Sequence, residues 1–335
     1  MKQPLYRTVL ATAWEITKKH KFLWVLGIFA SLVMARIFPP VINNYYYLQE
    51  KFLILKKLSI FDPQTISSTF SWTNYQNLSA QDFSTYLIIA GAVIIAIFII
   101  WMVITAQIAL ITAGAQYYQG KKNLNFMKLL DGTRKNFWPV LINNLGFKLA
   151  IFGFFLLLSL PIFYFYLQDN KLGEIIASLI FFILFTIIEL IAGFVLIYSN
   201  SFIILDKTDV WQAVKDAFHL FRKKWLISIE TAVILFALQI FALSVTIVLT
   251  TIVALPFLII FYIALLSNFF ALAVLAITLA IIVGFICILL FTGFFTSFYI
   301  TSWTVLFIKL TQESPIAKIV RLEMHLRNYL KKRKK

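Results

Sequence analysis

Charge is what this sequence has least of. Only 13% of its 335 residues are Asp, Glu, Lys or Arg, and the interval from 231 to 308 (78 residues) contains none at all. A soluble fold must show water a polar face, and a chain that is 61% hydrophobic has too little polar surface to do so. Acidic residues are the rarer sign, 14 against 30 Lys and Arg, which leaves a formal net charge of +16. The single cysteine, Cys287, excludes an intrachain disulfide. Histidine is nearly absent, and His20, His219 and His325 have no His, Cys or Glu neighbour at metal-ligand spacing, so a zinc site is not expected. The glycines form no phosphate-cradling P-loop and no dinucleotide fingerprint, and there is no G-x-S-x-G nucleophile turn. These absences point away from an enzyme and from any cofactor.

What the chain does have is apolar length. Runs of eighteen or more residues with few charges read as membrane-spanning helices. The first is expected from Phe22 to Phe38, retained as a span rather than cleaved as a signal, because the polar stretch before it is too long for a leader. Pro39 and Pro40 end it. Further spans are expected near 86–115, 138–166 and 175–205, then 225–253 and 269–307. Pro256 is expected to break the helix and leave 257–266 as a short interfacial or re-entrant piece.

Charge bias orients these spans. The N-terminal segment, the connector 116–138, the connector 206–225 and the tail (Lys318, Arg321, Arg327 and Lys331 to Lys335) are all rich in cations, so all should lie on the cytoplasmic side. The polar segment 43–85 roughly balances its charges, as an outside loop does, and 41–58, overlapping its start, reads as a helix capping the outer face. Both termini inside requires an even number of crossings. The expected fold is therefore an all-α integral membrane protein of six transmembrane helices, in a bacterial cytoplasmic membrane. Residues 1–313 form one membrane domain and 314–335 a basic amphipathic tail. An excess of cations in such a protein marks anionic-lipid contact rather than nucleic acid.

Each basic segment carries helix-period apolar residues. Trp211, Val214, Phe218, Phe221 and Trp225 fall three and four apart; Phe126, Leu130, Thr133 and Phe137 do the same, as do Tyr6, Val9, Leu10, Ala13 and Trp14. Asn125 and Asp209 stand where N-caps would. Three phrases, AWEITKKHKFLW ending at Trp24, FMKLLDGTRKNFW at Trp138 and AVKDAFHLFRKKW at Trp225, share a plan of amphipathic segment, cations and boundary tryptophan. The chain thus reads as three repeated units, about 1–115, 116–205 and 206–313, each a basic interfacial helix followed by a helical hairpin. Expected lipid contacts are Trp24, Trp138, Trp211 and Trp225, with Arg222, Lys223, Lys224, Lys331, Lys332 and Arg333 at the headgroups.

In this arrangement the chain resembles the membrane domain associated with bacterial glycerophosphoryl diester phosphodiesterases and its uncharacterised six-helix relatives. The residues carrying the resemblance are LDKTDVWQAVKDAFHLFRKKW (Leu205 to Trp225), the counterpart ending RKNFW, and the opening AWEITKKHKFLW. The resemblance implies architecture only, since the clustered acids and histidines of a phosphodiesterase are not found here.

Three ionisable residues fall inside expected spans: Lys148, Glu189 and Glu230. Such groups are expensive in hydrocarbon, so each is either paired within the bundle or part of a pathway. Gln107, Asn143, Asn144, Asn200 and Gln239 read as interhelical hydrogen-bond partners, and Ala273, Ala276, Ala280 and Gly284 as a close helix contact. The leading expectation is a non-enzymatic protein that organises or adapts the membrane through anionic-lipid-binding helices. The alternatives are a transporter using Lys148, Glu189 and Glu230, and a membrane accessory subunit of a glycerophosphodiester or lipid enzyme. Protein partners and oligomeric state stay open.

Overall fold

A computed structural model describes residues 5–34 and 80–312. Of the expected outer loop, residues 43–79 lie outside the described residues, as do its capping helix and the basic tail, including Lys331, Lys332 and Arg333; residues 80–85, expected in that loop, are helical instead. Every described element is helical. In chain order these are α1 (Leu5–Lys19), α2 (Phe22–Met34), α3 (Ala80–Tyr118), α4 (Phe126–Thr133), α5 (Phe137–Leu167), α6 (Lys171–Ser201), α7 (Val210–Leu266) and α8 (Phe270–Gln312). A π-helical turn, Phe202–Asp206, closes α6.

Five of these, α3 and α5 to α8, are long and apolar enough to cross a membrane. The chain is a multi-pass membrane protein. The six-span expectation is met only in part. The thirteen described residues of α2 rise about 20 Å at 1.5 Å each, short of a hydrocarbon core of about 30 Å. The rest of the first expected span lies outside the described residues. The expectation at Pro256 is corrected: α7 runs unbroken through Pro256 to Leu266, so 257–266 is a continuation of the helix. A proline inside a membrane helix removes one backbone bond, and neighbouring helices and side chains tolerate that. The break in α7 comes instead at Lys224 (φ −126°, ψ 24°), which sets residues 210–223 off as an arm.

Burial is concentrated at one end of the bundle. Residues 296–310 of α8 are buried without interruption. Around this stretch pack α1, α3 and α2, with the end of α6 and the base of α7 completing the core. Away from this end the helices are apolar and exposed: residues 86–101 of α3, most of α5 and α6 beyond their inner ends, and the outer parts of α7 and α8. That pattern is what lipid requires, because lipid tails are as apolar as leucine and nothing drives such faces inward.

Among the described glycines, the closest approach to a facing backbone joins α2 to α8. A Cβ built on Gly27 would stand 2.0 Å from the Gly293 carbonyl oxygen, and one on Gly293 2.4 Å from the Trp24 carbonyl oxygen. The backbones meet because neither residue has a side chain. Ser297, one turn on from Gly293, then donates to the Leu23 carbonyl at 2.6 Å. The small residues expected to form a close contact, Ala273, Ala276, Ala280 and Gly284, are buried on the outer part of α8, where a Cβ on Gly284 would meet Thr250 of α7 at 3.4 Å.

Turn chemistry follows the sequence. Asn125 caps α4 by accepting from the Met127 amide, and Asp209 caps α7 by accepting from the Trp211 amide. At the opposite end, Asp169 (φ 49°) and Asn268 (φ 53°) take the left-handed conformation that ends α5 and α7, a region Asp and Asn enter more readily than other side chains.

Candidate functional site

The packed end holds both the polar interior and the described cation-rich segments. Its interior is a chain of amides drawn from three helices. Asn143 of α5 donates to the Ser199 hydroxyl (2.7 Å) and to Asn200 Oδ1 (2.8 Å) of α6. Asn200 donates to Asn144 Oδ1 (2.9 Å), and Asn144 to Gln107 Oε1 of α3 (3.0 Å). All five residues are buried. One turn of α5 supplies two adjacent asparagines, and the facing turn of α6 supplies Ser199 and Asn200, so the hairpin is joined side to side. Gln107 extends the chain to a third helix. A cavity of about 20 Å³ adjoins it, lined by Gln107, Asn200, Ser201, Trp303 and Thr304 among others. That is room for about one water by the same measure. Gln239 does not join the network; it is exposed on α7 beside a groove of about 630 Å³ between α7 and α8.

Above the network, aromatic rings bind the end together. Trp303 of α8 meets Phe194 and Tyr198 edge-on, and Phe202 of the π turn meets Phe307 at 4.8 Å. The Tyr198 hydroxyl and Ser228 Oγ lie 2.7 Å apart, tying α6 to α7.

The three ionisable residues are not gathered into one site. Lys148 is exposed on α5, Glu189 half-buried on α6, and among the described residues no ion pair joins them. Glu230, five residues beyond Trp225, accepts a hydrogen bond from the Tyr6 hydroxyl of α1. The expected buried cluster of Lys148, Glu189 and Glu230 is therefore replaced by separate positions on three helices. Sequence position put all three within apolar runs, but rotation about each helix axis decides what a side chain faces.

The basic segments converge at the same end. Tyr117, at the end of α3, donates to Glu15 of α1 at 2.7 Å, and Lys19 Nζ stands 5.9 Å from the Tyr117 ring. Phe22 meets both His20 and Phe126 edge-on, so the start of α2 touches the start of α4. Burial pushes the His20 imidazole below its ordinary pKa; a backbone hydrogen bond at Lys122 opposes the shift and the Lys19 charge adds to it.

The four expected boundary tryptophans divide. Trp138, Trp211 and Trp225 are 66%, 68% and 52% exposed. Trp24 is half-buried; its indole donates to the Thr17 carbonyl (2.9 Å), and its ring meets Phe294 edge-on. It thus satisfies a carbonyl left over at the end of α1. On the α7 arm the exposed line is Trp211, Lys215, Phe218, Arg222 and Trp225, while Ala213, Ala217 and Phe221 face the core. Lys215 Nζ lies 5.3 Å from the Trp211 ring. Val214 and Phe221 were expected on the aromatic face; Phe221 stacks instead on Phe194 of α6. The same offset recurs in α4, which buries Leu129 and Thr133, and in α1, which buries Leu5, Val9, Ala13 and Ile16. In each of these segments the small and aliphatic residues meet protein while most of the large aromatics turn away.

No protein-family model, no curated protein and no solved structure matches this chain.

Proposed function

We propose that this chain is a non-enzymatic protein of the bacterial cytoplasmic membrane, with its cation-rich end on the inner face and both termini inside. Its role in this reading is to organise or adapt the membrane by gripping anionic lipid through basic interfacial helices, arranged in three repeated units. The observation that carries the reading is the α7 arm, whose Trp211, Phe218 and Trp225 are exposed on a line with Lys215 and Arg222. Rings at that level suit the acyl boundary, and each cation near an anionic surface contributes roughly 1 kcal/mol. The resemblance to the glycerophosphodiesterase-associated membrane domain supports a lipid setting of the same kind.

The test uses the full-length protein in neutral detergent, titrated with short-chain phosphatidylglycerol and phosphatidylcholine. Two cations of the arm should favour the anionic lipid by about tenfold or more, a preference that weakens in salt and in Arg222→Gln. Equal affinity for the two lipids contradicts the proposal.

A further inference from the structure

Behind the exposed line of the α7 arm lies a second feature. A pocket of about 330 Å³ opens between the arm, the π turn and the end of α8, lined by Phe202, Asp216, His219, Leu220, Lys223, Lys224, Leu310 and Thr311. We infer that this pocket holds the phosphate-bearing headgroup of one anionic lipid, so that the arm binds lipid stoichiometrically as well as by lying in the interface. The inference rests on the reading above and names the site within it.

Three features argue for this occupant. The volume is far above that of a water site and within the range of small-molecule pockets, roughly 300–1,000 Å³. The polar wall includes the ammonium group of Lys223 and the imidazole of His219, donors of the kind a phosphate takes, with Lys224 beside them; the Thr311 hydroxyl already donates to the Phe307 and Ile308 carbonyls. Carboxylates stand near as well: Asp216 in the wall, which keeps its charge while its Oδ1 accepts from Gln212 Nε2 at 2.9 Å, and Asp206 of the π turn, close enough to interact with Asp216. Phe202, Leu220 and Leu310 supply an apolar wall against which glycerol and the first methylenes fit.

The backbone explains why the pocket exists. An uninterrupted α7 would keep the arm in line with the span. The non-helical Lys224 bends it there, so that His219 and Lys223 come to face Leu310 and Thr311 of α8. His219 and Lys223 also lie one position beyond Phe218 and Arg222, about 100° around the helix from the exposed aromatic line. A lipid whose acyl chains run along Phe218 and Trp225 therefore brings its phosphate to the pocket without leaving the arm.

The experiment measures lipid binding to the full-length protein by native mass spectrometry, with short-chain phosphatidylglycerol, short-chain phosphatidylcholine and inorganic phosphate as probes. One phosphatidylglycerol should be retained tightly. In the His219→Gln, Lys223→Gln double variant its affinity should fall by about tenfold per lost charge-assisted contact, with phosphatidylcholine unaffected. Lys223→Arg should restore most of the binding, which separates loss of charge from damage to the fold. An anionic preference that survives intact in the double variant overturns the pocket while leaving the arm's role standing. No preference in the unmodified protein overturns both. Inorganic phosphate competing as tightly as the lipid would make free phosphate the ligand and overturn the lipid assignment.

Discussion

Gly27→Ala and Gly293→Ala are expected to be the most damaging single-methyl changes in the protein. A Cβ at either position falls 2.0 Å or 2.4 Å from a backbone carbonyl oxygen of the facing helix, where contacts under 3.0 Å essentially do not occur. The neighbour is backbone, so no rotamer change relieves the clash. The helices must part, and parting also lengthens the Ser297 to Leu23 hydrogen bond, now 2.6 Å. Overpacking in a close-packed site costs typically 1–3 kcal/mol, and we expect about 3 kcal/mol or more here because two backbones move. Gly146→Ala and Gly153→Ala provide the comparison: nothing lies within 4 Å of either Cβ, so alanine should be neutral or stabilising by up to about 1 kcal/mol. Unfolding free energies from steric trapping in bicelles would separate the pairs. Similar values for Gly27→Ala and Gly146→Ala would mean that α2 and α8 do not meet as described.

Asn144→Leu is the second large effect expected. Asn144 both donates to Gln107 and accepts from Asn200, so leucine strands an acceptor on α3 and a donor on α6 in a buried site. Each unsatisfied group costs about 1–3 kcal/mol, so the two together cost about 2–6 kcal/mol. Hydrogen bonds between membrane helices are individually weak, about 0.6 kcal/mol on average, so the expected loss comes from the stranded partners. A double-mutant cycle isolates this: Asn144→Leu with Asn200→Leu should cost less than the sum of the single changes. Strict additivity would show that the two amides do not interact. Gln239→Leu, at an exposed position outside the network, should leave stability nearly unchanged.

The sequence makes some of this legible because the relevant forces are local. An uncharged interval can only be apolar helix in lipid, and Asn125 and Asp209 cap because each stands just before a helical period. Asn143, Asn144, Asn200 and Gln107 are recognisable as bundle residues because amides inside apolar runs need partners. Other features depend on what faces them. Gly27 is one glycine in an apolar run, and its importance appears only when Gly293 is placed opposite; the spacing of Gly293 and Ser297 is the sole local hint. Periodicity locates an amphipathic face but not its neighbour. In the α7 arm the core therefore takes Ala213, Ala217 and Phe221 while Trp211 and Phe218 turn away. Pro256 misleads for a related reason: its local preference for a break is overridden by the surrounding helices, and the bend falls at Lys224, which carries no breaker signal.

The central claim is that every cation-rich segment sits on one face of the membrane and the turns at Asn170 and Asn268 sit on the other. Single cysteines placed by Lys121→Cys, Lys207→Cys, Asn170→Cys and Asn268→Cys, each with Cys287→Ser, test it with a membrane-impermeant maleimide on intact cells. Positions 170 and 268 should react in intact cells, and 121 and 207 only after lysis. Labelling of 121 or 207 from outside, or of 170 and 268 from opposite sides, would contradict the account.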